Sequence, residues 1–174
     1  MSMPPLLPEV ILQRVLRLAR FDGMSVLTIA GFFGLLAAAA GDYRGAIIGL
    51  LVAGTGAIEL HGVTLLKAGY AEGMNWVIGS QFFMMAAMLG YCAFRLANVV
   101  IPPIPPNVAT LVETTAAQLG WSTDEYLHFV YRLSFQMVGG LTVLYQGSMA
   151  IYYLRRRVAV GRALMNAAPG AAEE

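Results

Sequence analysis

Glu59 and His61 interrupt a stretch that is otherwise almost wholly apolar from Gly45 to Leu66 (GAIIGLLVAGTGAIELHGVTLL). An ionisable group inside such a run is costly to bury, and it points to proton or ion handling or to a helix contact that needs a polar partner. Polar groups also break other apolar stretches of the chain: Thr28, the pair Ser80 and Gln81, and Gln146. Hydroxyl, amide and carboxyl groups meeting inside a bilayer can form a structural hydrogen-bond network. They can equally line a path for protons or cations, because lipid offers them no partner.

Composition says what must position these groups. Of 174 residues, 58% are hydrophobic and 12% charged, about half the charged share of an ordinary soluble domain. A net charge of +1 gives no bulk attraction for nucleic acid, and none is expected as a partner. Cys92 is the only cysteine, which excludes an intrachain disulfide, a CxxC redox pair and a thiolate metal cage. HExxH, GxSxG and a phosphate-cradling glycine loop are all missing. No catalytic residue, cofactor or metal site is therefore expected, and an enzyme acting on lipid would need a nucleophile that the sequence does not offer. The ten methionines fit flexible packing better than a soft-metal path.

Four apolar stretches are each near the roughly 20 residues that a spanning helix needs: 24–41, 45–66, 74–96 and 129–154. They are too long and too unbroken for strands, so a barrel is excluded. The expected fold is an all-α integral membrane protein, a four-transmembrane-helix bundle with an N-terminal amphipathic helix and a helical outer loop. Its parts are an interfacial helix over 1–23, three spans within 24–96, an outer loop over 97–128, the fourth span over 129–154, and a basic then disordered tail over 155–174.

The basic residues orient this scheme. Arg14, Arg17, Arg20, Lys67, Arg155, Arg156, Arg157 and Arg162 fall on one side, against Arg44, Arg95 and Arg132 on the other. The positive-inside rule then puts both termini in the cytoplasm, in a bacterial inner membrane. A competing reading of the first span is a cleaved signal peptide, since basic residues and an apolar core precede LLAAAAG.

Outside the spans, Ile11, Leu12, Val15, Leu16, Leu18 and Ala19 share one helical face, with Arg14, Arg17 and Arg20 opposite. Such a helix is expected to lie on the inner leaflet with its arginines towards anionic headgroups. In the long loop, IPPIPP (101–106) is stiff and extended. A short helix should follow over 107–120, capped by Asn107 and stopped by Gly120. The STDE run at 122–125 has the form of a capping box, so the next helix should start near Thr123.

Placed by depth, Thr28, Glu59, Ser80, Gln81 and Gln146 fall at a similar level near the cytoplasmic end, with Glu59 roughly 10 Å in at 1.5 Å per residue. They form the candidate pore or polar layer. Arg95, Arg132 and Gln136 form a candidate outer layer, near Glu113, Asp124 or Glu125. His61 lies about 160° around the helix from Glu59, so the two are no local dyad. His61 and His128 sit at opposite ends and cannot ligate one haem.

The leading expectation is an oligomeric channel or transport component built around Glu59. The alternative is an accessory or scaffolding subunit of a larger membrane complex, without transport or catalysis of its own. Partners would be the lipid bilayer and either further copies of the chain or other membrane-protein subunits.

Overall fold

The computed structural model describes residues 7–101 and 103–167. Expectations for residues 1–6 and 168–174 lie outside them. Among the described residues every regular element is helical: α1 (Pro8–Ala39), α2 (Tyr43–Lys67), α3 (Gly73–Ala97), α4 (Pro106–Gln118) and α5 (Thr123–Ala167). Three of these, α1, α2 and α3, are long and apolar enough to cross a membrane, with a mean hydropathy of 1.6 in each. They mark the chain as a helical membrane protein. The stretch 129–154 lies within α5, which is not among the three. Its polar residues, Gln136, Gln146 and several tyrosines, dilute its apolar character.

Helix α1 corrects two of the expected boundaries. Pro8 at its start fits a first-turn position, and Glu9 in the first turn complements the N-terminal dipole. No further proline follows, and Gly23, Gly31 and Gly34 do not interrupt it, so the helix runs unbroken for 32 residues, about 48 Å. The surface helix and the first span are therefore one element. Nor does its apolar face lie on a leaflet, because Ile11, Val15 and Ala19 are buried in the same cluster as Val63, Leu66, Met74, Val77, Tyr153 and Val160. A face spent on protein packing is not available to lipid. Similarly, residues 155–167 continue α5 instead of forming a tail.

The fold divides into two compact units, residues 1–87 with 144–174, and residues 88–143. In the first, α1 and α2 form an antiparallel hairpin. Gly41 turns the chain at a φ of 76°, and the Asp42 carboxylate caps α2 by accepting from the Gly45 N–H at 3.0 Å. The helices then approach closely through glycines. A Cβ on Gly49 would lie 2.6 Å from Gly34 Cα, and one on Gly56 would lie 2.6 Å from the Gly23 carbonyl oxygen. Small residues allow this backbone approach, the usual route to tight helix pairs in membranes. Outward, Phe33 is 62% exposed and Leu50 73%, which suits contact with acyl chains and not with water.

The second unit holds α4 and the adjoining parts of α3 and α5. Pro105 occupies the N-cap of α4 without a side-chain bond, so Asn107 sits inside the first turn and is not the cap. Gly120, at a φ of 71°, follows the helix end. The capping box forms at the start of α5. The Ser122 N–H and hydroxyl donate to Glu125 Oε2 at 2.9 and 2.8 Å, while the Glu125 N–H donates to Ser122 Oγ at 3.2 Å.

Two outcomes follow from this packing. Gly56→Ala should destabilise the hairpin by about 1–3 kcal/mol through overpacking, whereas Gly54→Ala, with nothing within 4 Å of its Cβ, should be neutral or mildly favourable. Thermal unfolding in detergent would compare the two. The Ser122 N–H and then its hydroxyl hold the Glu125 carboxyl below its ordinary range. That contribution to the α5 start is present above the unfolded pKa and is lost as pH falls through the folded one. Ser122→Ala, which removes only the hydroxyl, should return the Glu125 titration part of the way upward in an NMR pH series.

Candidate functional site

The side chains that carry the site lie in the first unit and come from four helices. Asp22 of α1, Thr55 and Glu59 of α2, Ser80 and Gln81 of α3, and Gln146 of α5 are its buried polar residues, none more than 6% exposed. Of the expected layer, Glu59, Ser80, Gln81 and Gln146 are thus buried in one unit. Thr28 is exposed and does not join them. It lies about 120° around α1 from Asp22, so the face that buries Asp22 turns Thr28 away.

Two acids, not one, anchor the layer. Asp22 Oδ1 accepts from the Tyr145 hydroxyl at 2.9 Å, and Asp22 Oδ2 accepts from Gln81 Nε2 at 3.3 Å. Glu59 Oε1 accepts from the Tyr153 hydroxyl at 3.2 Å. The side chains acting on Glu59 are Asp22, Tyr153 and Gln81. No cation is among them, so the carboxyl pair is answered by neutral donors alone. Ser80 and Thr55 take little part, because their hydroxyls donate to the carbonyls of Val77 and Val52 in their own helices.

The layer is rich in acceptors. Gln81 Oε1 and Gln146 Oε1 are buried and accept no hydrogen bond, and Gln146 Nε2 donates only to the Met84 thioether at 3.0 Å. Two carboxyls and two free amide oxygens suit a proton or a hard cation and repel an anion. Among the described residues no three His, Cys, Asp or Glu side chains gather as a metal-binding group, so the carboxyls stand as a pair.

His61 is exposed and meets Trp76 edge to face at 5.2 Å between ring centroids, away from the carboxyl layer. In the second unit the expected outer layer is not one cluster. Arg95 lies 5.5 Å from the Tyr131 ring centre and 5.4 Å from that of Phe135, a cation–π cage. Its Nε is buried without an acceptor, and Tyr131 donates to its carbonyl at 3.5 Å. Arg132 and Gln136 are exposed and line an open pocket with Asp124, Glu125 and His128. Acids beside Arg132 make that pocket mixed in charge and unlike an anion-selective ring.

Asp22, Tyr145 and Tyr153 are the participants that the sequence reading does not single out. The signal is nonetheless there. Ile11, Val15, Ala19 and Asp22 are spaced by four, four and three residues, so Asp22 continues the buried face of α1. Gln146, Ala150 and Tyr153 repeat that spacing on α5. With the site in view, comparison with known proteins adds no further constraint: the chain matches no protein-family model, and no curated protein or solved structure is significantly similar to it.

If the tyrosine donors hold the carboxyls, Tyr153→Phe should cost about 1–3 kcal/mol by leaving a buried acceptor unmade. In a double-mutant cycle with Glu59→Gln, the two changes should couple by at least about 0.5 kcal/mol. Additive losses in denaturant unfolding would show that the 3.2 Å contact carries no stability.

Proposed function

We propose that this chain is a proton- or cation-handling component of a membrane transport system, a channel or transporter subunit working through the Asp22–Glu59 pair. The observation that carries this reading is the pairing itself: two buried carboxyls close enough to repel one another, held by neutral donors and, among the described residues, with no ion-paired base. Burying two uncompensated negative charges is expensive by several kcal/mol. A shared proton or a bound cation relieves that cost, and exchanging one for the other is the elementary step of a transport site.

In this reading α1, α2, α3 and residues 129–154 of α5 are four spans. The basic end lies in the cytoplasm of a bacterial inner membrane, with both termini there. The modest hydropathy of α5 fits a helix that buries Gln146 and Tyr153 and reaches Asp22 with the hydroxyl of a half-exposed Tyr145. Homo-oligomers or assembly with other membrane subunits would complete the path.

The decisive measurement is proton and sodium flux in proteoliposomes containing wild type, Glu59→Gln or Asp22→Asn. Flux in the wild type and a loss of at least about ten-fold in either variant, with helical content and oligomeric state unchanged, is expected. An effect of that size corresponds to about 1.4 kcal/mol or more at the rate-limiting step. A folded wild type that conducts neither ion would sink the transport reading and leave the pair as structural glue.

A further inference from the structure

The basic end of the first unit carries a second feature that owes nothing to the carboxyl layer. Leu16, Arg17, Arg20, Phe21 and Met24 of α1, together with Lys67 at the end of α2, surround a cavity of about 430 Å³. That size lies within the roughly 300–1,000 Å³ of small-ligand sites. We propose that this pocket seats one anionic phospholipid, its phosphodiester between Arg17, Arg20 and Lys67 and its upper acyl region against Phe21 and Met24.

Charge is the first argument. The lining holds three cations and no acid, and among the described residues none of the three is ion-paired. Guanidinium groups match a phosphodiester in two-pronged fashion, and the Lys67 ammonium adds a point charge. The apolar part of the lining is the second. Phe21 is 73% exposed and Met24 50%, a poor setting for a freely soluble anion and a good one for acyl chains. The third is position along the helices. α1 spans about 48 Å, longer than the roughly 30 Å hydrocarbon layer. Its arginines stop at Arg20, just before the apolar run from Met24, while Lys67 closes α2. Headgroup phosphates lie at that transition.

A second basic pocket, lined by Ser148, Ile151, Tyr152, Arg155 and Arg156, serves as an internal comparison. It has two arginines, and Arg156 is already engaged over the Tyr152 ring at 5.7 Å. It should therefore hold an anionic lipid less tightly.

The test is native mass spectrometry of the full-length protein in a zwitterionic detergent, titrated with phosphatidylglycerol or phosphatidylcholine. Wild type should retain phosphatidylglycerol in preference. Removing cations should weaken that binding about five-fold for each, so Arg17→Gln with Arg20→Gln should lose roughly 25-fold without changing phosphatidylcholine binding. The charge-conserving pair Arg17→Lys with Arg20→Lys should keep most of it, and Arg155→Gln with Arg156→Gln should lose clearly less. Equal retention of the two lipids by wild type would overturn the proposal. So would equal losses from both glutamine pairs, which would indicate a diffuse basic belt. Displacement of phosphatidylglycerol by millimolar inorganic phosphate would also overturn it, since the pocket would then recognise a free anion.

Discussion

A carboxyl group inside a bundle whose outer surface is Phe, Leu and Ile has only the bundle's own side chains to answer it. Here two carboxyls share that predicament, and the helices must arrive together for either to be tolerated. Asp22 needs Gln81 from α3 and Tyr145 from α5, while Glu59 needs Tyr153 from α5. Each bond joins elements far apart in sequence. Leaving any of these acceptors unmade would cost on the order of 1–3 kcal/mol, more for a charged one. The layer thus specifies register as well as chemistry: a sliding helix would strand a buried polar group, whereas apolar contacts tolerate a slide far better.

The glycine contacts make that register reachable. Gly23 and Gly56 meet on the α1–α2 interface, one residue from Asp22 and three from Glu59. Because backbones approach there without intervening side chains, the two acids are drawn to a common level. A larger residue at either glycine would separate the helices just where the carboxyls must meet. Packing and site chemistry are therefore one constraint at this point of the fold.

Much of this is legible in the sequence, and the failures have a common cause. Glu59, Ser80, Gln81 and Gln146 stand out because each interrupts an apolar run, and burial of such groups in a helical membrane protein is nearly forced. Asp22 does not stand out, because it follows RLARF and lies outside the apolar runs 24–41, 45–66, 74–96 and 129–154. It becomes visible only when α1 is read as one helix and the 11–15–19–22 face is followed to its end. Tyr145 and Tyr153 are hidden differently. Tyrosine is at home at a membrane interface, so its type alone does not separate a belt residue from a donor to an interior carboxyl. Thr28 is the converse error, a polar residue at a plausible depth but on the wrong side of its helix. Depth without angle is half an address.

Angle and depth together also explain how one helix can serve two opposite chemistries. Arg20 and Asp22 are only two residues apart, about 3 Å along the axis and about 160° around it. The first faces out among unpaired cations, and the second faces in among neutral donors. The carboxyl layer therefore lies directly beneath the basic end and not at mid-bundle. On the proposed orientation, the carboxyl pair lies close to the cytoplasmic end of α1 and α2. A proton or cation at Asp22–Glu59 would exchange with the cytoplasmic side first.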